Sequence, residues 1–446
     1  MSKHEPFFFS SVDELLDKAE ELRVSLPYKE TTNELFEKMT VGLRNVPNRF
    51  CVQPMEGFDA DPDGAPSSLT FRRYTRYAEG GYGLIWFEAA GVVPEGRSNP
   101  YQLFLGARNL DSFEKLVMET RKAAYRTYGD GQELFCVLQL THSGRYSRPD
   151  GRLRPVGVIS NPFLEGPDDS VQILNDDDLE RLMEDYIEAA RLAEKAGFDA
   201  VDIKACHGYL VNEMLGAFAR KKGRFGATFE NRSRFLVELL QRLHDVVPGL
   251  AAAVRLSAYD GIPYPYGFGV AKDGSLDPNI LEPKRLVHNL IDAGCILFNV
   301  TAGNPAFNPH IGRPFDRPAN NTPLPDEHPL VGVYRLITLC GELQKEFPYV
   351  PFVGTGYSWL RHFFPYIAAG VLARGKTSFI GLGRSSFAYP DAPRELQQNK
   401  KLNPEKVCIC CSRCTELMRS GRVTGCVIRD GSIYAKEYKK IGGWNK

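Results

Sequence analysis

The most restrictive feature of this chain is an alternation. Eight short apolar runs are separated by longer segments with helical periodicity. The runs are RFCVQPM (49–55), GLIWFEA (83–89), ELFCVLQL (133–140), AVDIK (200–204), AAAVRL (251–256), ILFNV (296–300), VPFVG (350–354) and SFIG (378–381). Between them the spacing predicts helices over 68–78, 111–128, 176–196, 232–247, 283–293, 331–347 and 358–369. Three of these reach an Ala-Gly pair, at 196–197, 293–294 and 369–370, the usual signal of a helix C-cap. Strands alternating with helices imply the α/β class, and eight of them imply a (β/α)8 barrel. An open doubly wound sheet is the runner-up. The first strand-to-helix turn lacks the G-x-G-x-x-G fingerprint that such a sheet would carry.

Around this barrel, 49–390, the sequence sets two flanking units. Residues 1–48 are expected to be a helical leader on the outside of the barrel, with Val12, Leu15, Leu16, Ala19 and Leu22 at helical spacing. Residues 391–446 form a cysteine-rich extension with a basic end from Arg429 to Lys446. Two strand-to-helix connections, about 141–175 and 301–329, are long and rich in Pro, Gly, Asn and Arg. Loops of that length in a compact domain usually carry function.

Composition excludes several classes. Formal net charge is +0 in 446 residues, so neither a nucleic-acid footprint nor a polybasic membrane arm is expected. No apolar run reaches the roughly 18 residues of a membrane span. The N-terminus, MSKHEPFFFSSVDELL, is no secretory signal, because acids follow the Phe run too soon. A cytoplasmic protein is expected.

Barrels keep their chemistry at the C-terminal ends of the strands. After AVDI (200–203) the chain turns polar, with Lys204, Cys206, His207 and Tyr209. A phenol at Tyr209 can deliver a proton to a carbanion-like centre, or simply pack under a loop. Gln139 and Arg255 lie near the ends of their strands. A buried arginine needs an anion, which is either a structural carboxylate or an electron-rich ring or phosphate. Gly354, Gly356, Gly381 and Gly383, with Arg384, follow the last two strands, where barrels hold phosphates on backbone N–H groups. Of ten cysteines, five crowd the tail as Cys408-x2-Cys411-x2-Cys414-x11-Cys426, with Cys410 as a spare. Four thiolates at this spacing suit an iron–sulfur cluster or a structural zinc, and spacing leaves the two level.

These motifs together resemble the old yellow enzyme, or NADH:flavin oxidoreductase, family. They are PM (54–55), GGYGLIWFEA (80–89), QLTHSGR (139–145), HGYLVNEML (207–215), GRFGATFENRSRF (223–235), GLGR (381–384) and the cysteine tail. The chain looks most like the branch that includes bacterial 2,4-dienoyl-CoA reductase and trimethylamine dehydrogenase, and the resemblance spans roughly 43–430. It implies FMN, with Pro54, Met55, Glu56 and Ala89 facing the isoalloxazine and Gln139 on its pyrimidine edge. Arg255 would sit beside N1 and the C2 carbonyl. Gly354, Gly356, Gly383 and Arg384 would hold the phosphate. Tyr209 matches the family's proton donor. Cys408, Cys411, Cys414 and Cys426 match a 4Fe-4S cluster, which tips the metal away from zinc. His310, in PHIGRP with Arg313, stands where a loop histidine assists the tyrosine.

The chain departs from the pattern at three points. Lys204 replaces a first active-site histidine, and His207 holds the second position. The spacing between the second and third cluster cysteines is one residue short. The FAD- and NAD-binding domains of the larger members do not follow. The expected activity is reduction of an activated C=C bond in a small-molecule substrate. Electrons would come from NAD(P)H or a redox partner protein. The alternatives are amine or C–H oxidation with electrons leaving through the cluster and, from another class, a non-catalytic electron carrier or zinc-stapled barrel.

Overall fold

The computed structural model describes residues 3–131, 133–166 and 170–443; the last three residues of the basic tail lie outside this range. Eight parallel strands close into a barrel. They are β1 (Phe50–Val52), β2 (Leu84–Gly91), β3 (Phe135–Thr141), β4 (Ala200–Ala205), β5 (Ala251–Ser257), β6 (Cys295–Thr301), β7 (Phe352–Gly354) and β8 (Phe379–Leu382). Each pairs with the next, and β8 returns to β1 through Gly381 opposite Cys51. The main outer helices are α1 (Ser68–Glu79), α2 (Leu110–Tyr128), α3 (Asp176–Lys195), α4 (Phe229–Val246), α5 (Leu281–Asp292), α6 (Pro329–Glu346) and α7 (Phe364–Ala373). The sheet is buried on both sides, which is why its strands read as near-continuous apolar runs.

Side chains alternate along a strand, and this rule locates the site. The lower half of the interior holds Cys51, Trp86, Phe135, Val137, Ala200, Ala253, Leu297, Val353 and Phe379. Two residues further along the same inward faces come Gln53, Gln139, Asp202, Arg255, Asn299 and Thr355. An apolar layer therefore carries a polar layer directly above it, at the C-terminal mouth. β2 is the exception. Its register breaks between Phe87 and Ala90, and Glu88 meets Arg73 on α1 instead.

The first 48 residues differ from an all-helical leader on the outside. One α-helix covers Val12–Glu21, capped by Ser11 and buried along Leu15 and Ala19. A hairpin then pairs Met39–Val41 with Arg44–Val46. Val41 and Val46 join the interior cluster and plug the bottom of the barrel. That plug needs two apolar residues on one face of a tight turn, which a short hairpin supplies. The helix predicted over 358–369 also changes form. Residues Tyr357–Phe363 are a tight 3-10 segment broken at Arg361, and only Phe364–Ala373 is α-helical.

Candidate active site at the barrel mouth

Asp202 is the hub of the polar layer. Its carboxylate accepts from Trp86 Nε1 at 2.8 Å, Gln139 Nε2 at 2.6 Å and the Arg255 backbone N at 2.5 Å. Burial pushes its pKa up to about 6, and these three donors oppose the shift. Because Asp202 takes the Gln139 N–H, the Gln139 carbonyl oxygen is left to accept from a ligand. Across the barrel, Asn299 Nδ2 donates to Gln53 Oε1 at 2.8 Å. Gln53 fills the space that a side chain on β8 would need, since a Cβ at Gly381 would lie 1.9 Å from Gln53 Nε2. Sequence reading passed over Gln53, Asp202 and Asn299. Their two-residue phase with the apolar interior was the available signal.

A second cluster joins β1 to β4. Lys204 Nζ lies 3.0 Å from Glu56 Oε1 and 3.5 Å from the centre of the Tyr209 ring. The Tyr209 hydroxyl donates to the same Glu56 oxygen at 3.3 Å. Glu56 and Lys204 are both buried. Burial, then the Glu56 charge, hold the Tyr209 phenol well above its ordinary pKa, so it keeps its proton at neutral pH. Glu56 is positioned by its own loop, in which Gly57 N donates to Glu88 at 2.7 Å. Arg73 bridges Glu88 and Asp59 below. The side chain of Glu56 thus serves Lys204 and Tyr209, a role its expected backbone contact did not reveal. His207 sits at a positive φ of 63°, with Nε2 3.3 Å from Thr301 Oγ1. Burial and the charges of Arg255 and Lys204 hold it neutral, well below the usual imidazole range.

The remaining expected residues separate into two groups. Pro54 and Ala89 are buried, and the Ala89 carbonyl accepts from Gln102 at 3.0 Å. Met55 lies against Gly383, where a Cβ would come 3.0 Å from its sulfur. Gly356 has φ +100°, a conformation that demands glycine. Gly354 ends β7, and Gly356 caps the N-terminus of the 3-10 segment that follows. His310 is not brought to Tyr209. It is half-buried near Glu327, Arg335 and His4, with its pKa lowered chiefly by burial.

Three arginines, Arg255 and Arg384 buried and Arg313 half-buried, stand apart because no carboxylate ion-pairs with their side chains among the described residues. Arg255 Nε and Arg384 Nη1 are buried without a hydrogen-bond partner. Arg384 Nη2 donates to the Pro314 carbonyl at 2.6 Å, and the residue also lines a cavity with Cys408, Cys410, Cys411, Cys414 and Cys426. Arg313 bonds Thr415 Oγ1, next to Cys414. The cysteine segment is bolted to the loop after β6. Asp316 N donates to the Cys410 carbonyl at 3.2 Å, and Asn320 N donates to Glu416 at 2.9 Å. Backbone N–H groups also point at sulfur, from Cys410 to Cys408 at 3.4 Å and from Arg429 to Cys426 at 3.3 Å. Among the described residues no three Cys, His, Asp or Glu side chains converge on one metal ion.

Residues 34–267 match the model of the NADH:flavin oxidoreductase / NADH oxidase family, which is more than half of the chain. The chain belongs to this family. Its relatives include an NADPH dehydrogenase of Clostridium acetobutylicum, 31% identical over 263 residues, or 58% of this chain and 72% of that protein. An NADH oxidase of Thermoanaerobacter brockii is 26% identical over 389 residues, or 85% of this chain. The chain spans only 52% of that longer relative. Among solved structures, 2-naphthoyl-CoA reductase in complex with 2-naphthoyl-CoA shares the fold with TM-score 0.71 at 19% identity, over 89% of this chain and 57% of that one. Histamine dehydrogenase from Rhizobium sp. 4-9 does so with TM-score 0.67 at 20% identity, over 89% and 52%. Membership in the NADH:flavin oxidoreductase family makes this a flavin-dependent oxidoreductase and supports FMN and NAD(P)H as its cofactors. The mouth fits FMN. It offers the partnerless guanidinium N–H of Arg255, the free carbonyl of Gln139 and glycine backbone at β7 and β8. No helix among the described residues is long and apolar enough to cross a membrane.

Proposed function

We propose that this chain reduces an activated C=C bond of a small-molecule substrate. The observation that carries the reading is a phenol, Tyr209, hydrogen-bonded to Glu56 at the mouth of the barrel beside the paired Lys204. Bound FMN, reduced by NAD(P)H or by a partner protein, would supply the hydride to the carbon β to an electron-withdrawing group. Tyr209 supplies the proton to the α carbon; burial and Glu56 keep the phenol protonated until then. Arg255 places positive charge where a reduced isoalloxazine gathers negative charge, which favours reduction. Gln139 orients the ring through the carbonyl that Asp202 leaves exposed. Gly354, Gly356 and Gly383 bring backbone close to the phosphate, and Arg384 reaches from there toward the tail.

Within the same proposal, 391–446 is an iron–sulfur extension in which Cys408, Cys411, Cys414 and Cys426 hold a 4Fe-4S cluster. The support is chemical. The thiols share one cavity with a cation, and backbone N–H groups already face two of the sulfurs. Iron and acid-labile sulfide analysis of anaerobically purified protein tests this part alone.

The decisive experiment for the activity is anaerobic reduction with NADH and with NADPH, followed by titration with a panel of enones. Rapid reoxidation by an enone is expected. Reduction of the oxidised flavin by amines, with no reoxidation by any enone, would replace this reading with amine oxidation.

A further inference from the structure

Lys204 departs from the family pattern, and its surroundings specify a use for it. Its ammonium does not face the mouth as a spare cation, because Glu56 already neutralises it at 3.0 Å. What it faces is the Tyr209 ring, 3.5 Å from the ring centre. The neighbouring groups are Glu56, Cys206, His207, Tyr146 and, beside Lys204 on β5, Arg255. None of them other than Lys204 places a cation on the face of the phenol ring.

We propose that Lys204 acts on Tyr209 rather than on substrate: held by Glu56, it stabilises the phenolate left when Tyr209 gives up its proton. This rests on the reading of Tyr209 as the proton donor. In that step the Tyr209 O–H bond breaks and a C–H bond forms at the substrate α carbon. The O–H electron pair stays on the phenolate; bound flavin reduced by NAD(P)H would supply the hydride for the C–H bond at the β carbon. Solvent returns the proton to Tyr209 afterwards. A cation over an aromatic face gains attraction as that ring becomes anionic. The gain therefore appears in the transition state and not in the ground state, which is what accelerates a step. Glu56 fixes the ammonium in place and accepts the phenol hydrogen bond before transfer; its own charge opposes the phenolate, and the ammonium over the ring is the group that offsets it.

The test uses the flavin-loaded protein and three substitutions, Lys204→Met, Lys204→Arg and Tyr209→Phe. Lys204→Met should slow flavin reoxidation by an enone roughly tenfold or more, while flavin reduction and the enone dissociation constant stay within about twofold. In protein carrying 13C-labelled tyrosine, with the resonance assigned by Tyr209→Phe, the Tyr209 ring resonance at neutral pH should move in Lys204→Met, because the cation over the ring is gone. Lys204→Arg should restore most of the rate, because the charge returns. Weakened enone binding at an unchanged rate would mean that Lys204 grips substrate and overturns the proposal. So would a Tyr209 ring resonance that does not move. If Tyr209→Phe itself leaves reoxidation untouched, the donor reading fails, and that outcome is distinct from the first two. Should Lys204→Met not fold with Glu56 left unpaired, the double variant Glu56→Gln/Lys204→Met restores neutrality. Reoxidation in that protein as fast as in Glu56→Gln, which keeps the ammonium, overturns the proposal as well.

Discussion

The two sides of the barrel mouth treat charge in opposite ways. On the β1–β4 side every buried ionic group named above has an in-house partner: Lys204 with Glu56, and Arg73 with Asp59 and Glu88. On the β5–β8 side and the adjoining tail, Arg255 and Arg384 are buried and Arg313 half-buried, with no carboxylate ion-paired to their side chains among the described residues; Asp202 meets Arg255 at its backbone N and through its charge. An unpaired buried cation costs several kcal/mol in a folded chain. Such a cost is tolerated where an anion arrives from outside the polypeptide. The difference divides the site into a self-contained side that handles protons and a cationic side built to receive an anionic ring, a phosphate or a cluster of thiolates.

This contrast can be broken by substitution. The largest effect is expected from Glu56→Gln, which leaves Lys204 buried without a counter-ion. Stability should fall by about 3–5 kcal/mol in urea unfolding, and most of it should return in Glu56→Gln/Lys204→Met. A mild single variant would show that the first side is less self-contained than its geometry implies. On the cationic side, Arg255→Met should leave unfolding of the apoprotein unchanged or improved. FMN binding to the apoprotein, followed by quenching of flavin fluorescence, should weaken by about 10–100-fold, the worth of one hydrogen bond to a charged group. If Arg255→Met instead destabilises the apoprotein as strongly as Glu56→Gln, the two sides are not different in kind.

A third test sharpens the boundary between them, where Asp202 stands. Its pKa rises from the ordinary 3.8 to about 6. The folded protein therefore holds this proton more tightly than the unfolded chain does. The contribution to stability is complete below pH 3.8 and is lost as pH rises to about 6. Relative to Asp202→Asn, the wild type should lose on the order of 3 kcal/mol across that window. A pH-independent difference between the two proteins would remove Asp202 as a titrating group. The smallest effect is expected at the tail, where Thr415→Ala deprives Arg313 of its hydroxyl partner. About 1 kcal/mol of stability should go, with FMN affinity unaffected.

The eight strands were legible because a sheet buried on both faces leaves an uninterrupted apolar record. The inward polar layer was half legible. Gln139 and Arg255 are conspicuous in apolar runs, whereas Asp202 reads as an ordinary break and Gln53 as a strand end. The Glu56–Lys204 pair joins residues 148 apart in sequence, and no local pattern encodes such a contact. Arg384 could be placed at the end of β8 by its glycines, but a long flexible side chain leaves its reach toward the cysteines undetermined. His310 was assigned to the site from a loop with no periodicity. Its orientation toward Glu327 and Arg335 follows from how that loop packs on α6, which sequence does not disclose.

The seam between the cysteine segment and the loop after β6 carries a practical lesson. Ser412 Oγ donates to the Arg317 carbonyl, Asn320 N to Glu416 and Thr424 N to the Gly57 carbonyl just beyond Glu56. One wall of the entrance is therefore scaffolded by the segment that follows β8. A shortened protein ending after β8 would not be a minimal catalyst with its accessory removed; it would be a vessel missing part of its rim.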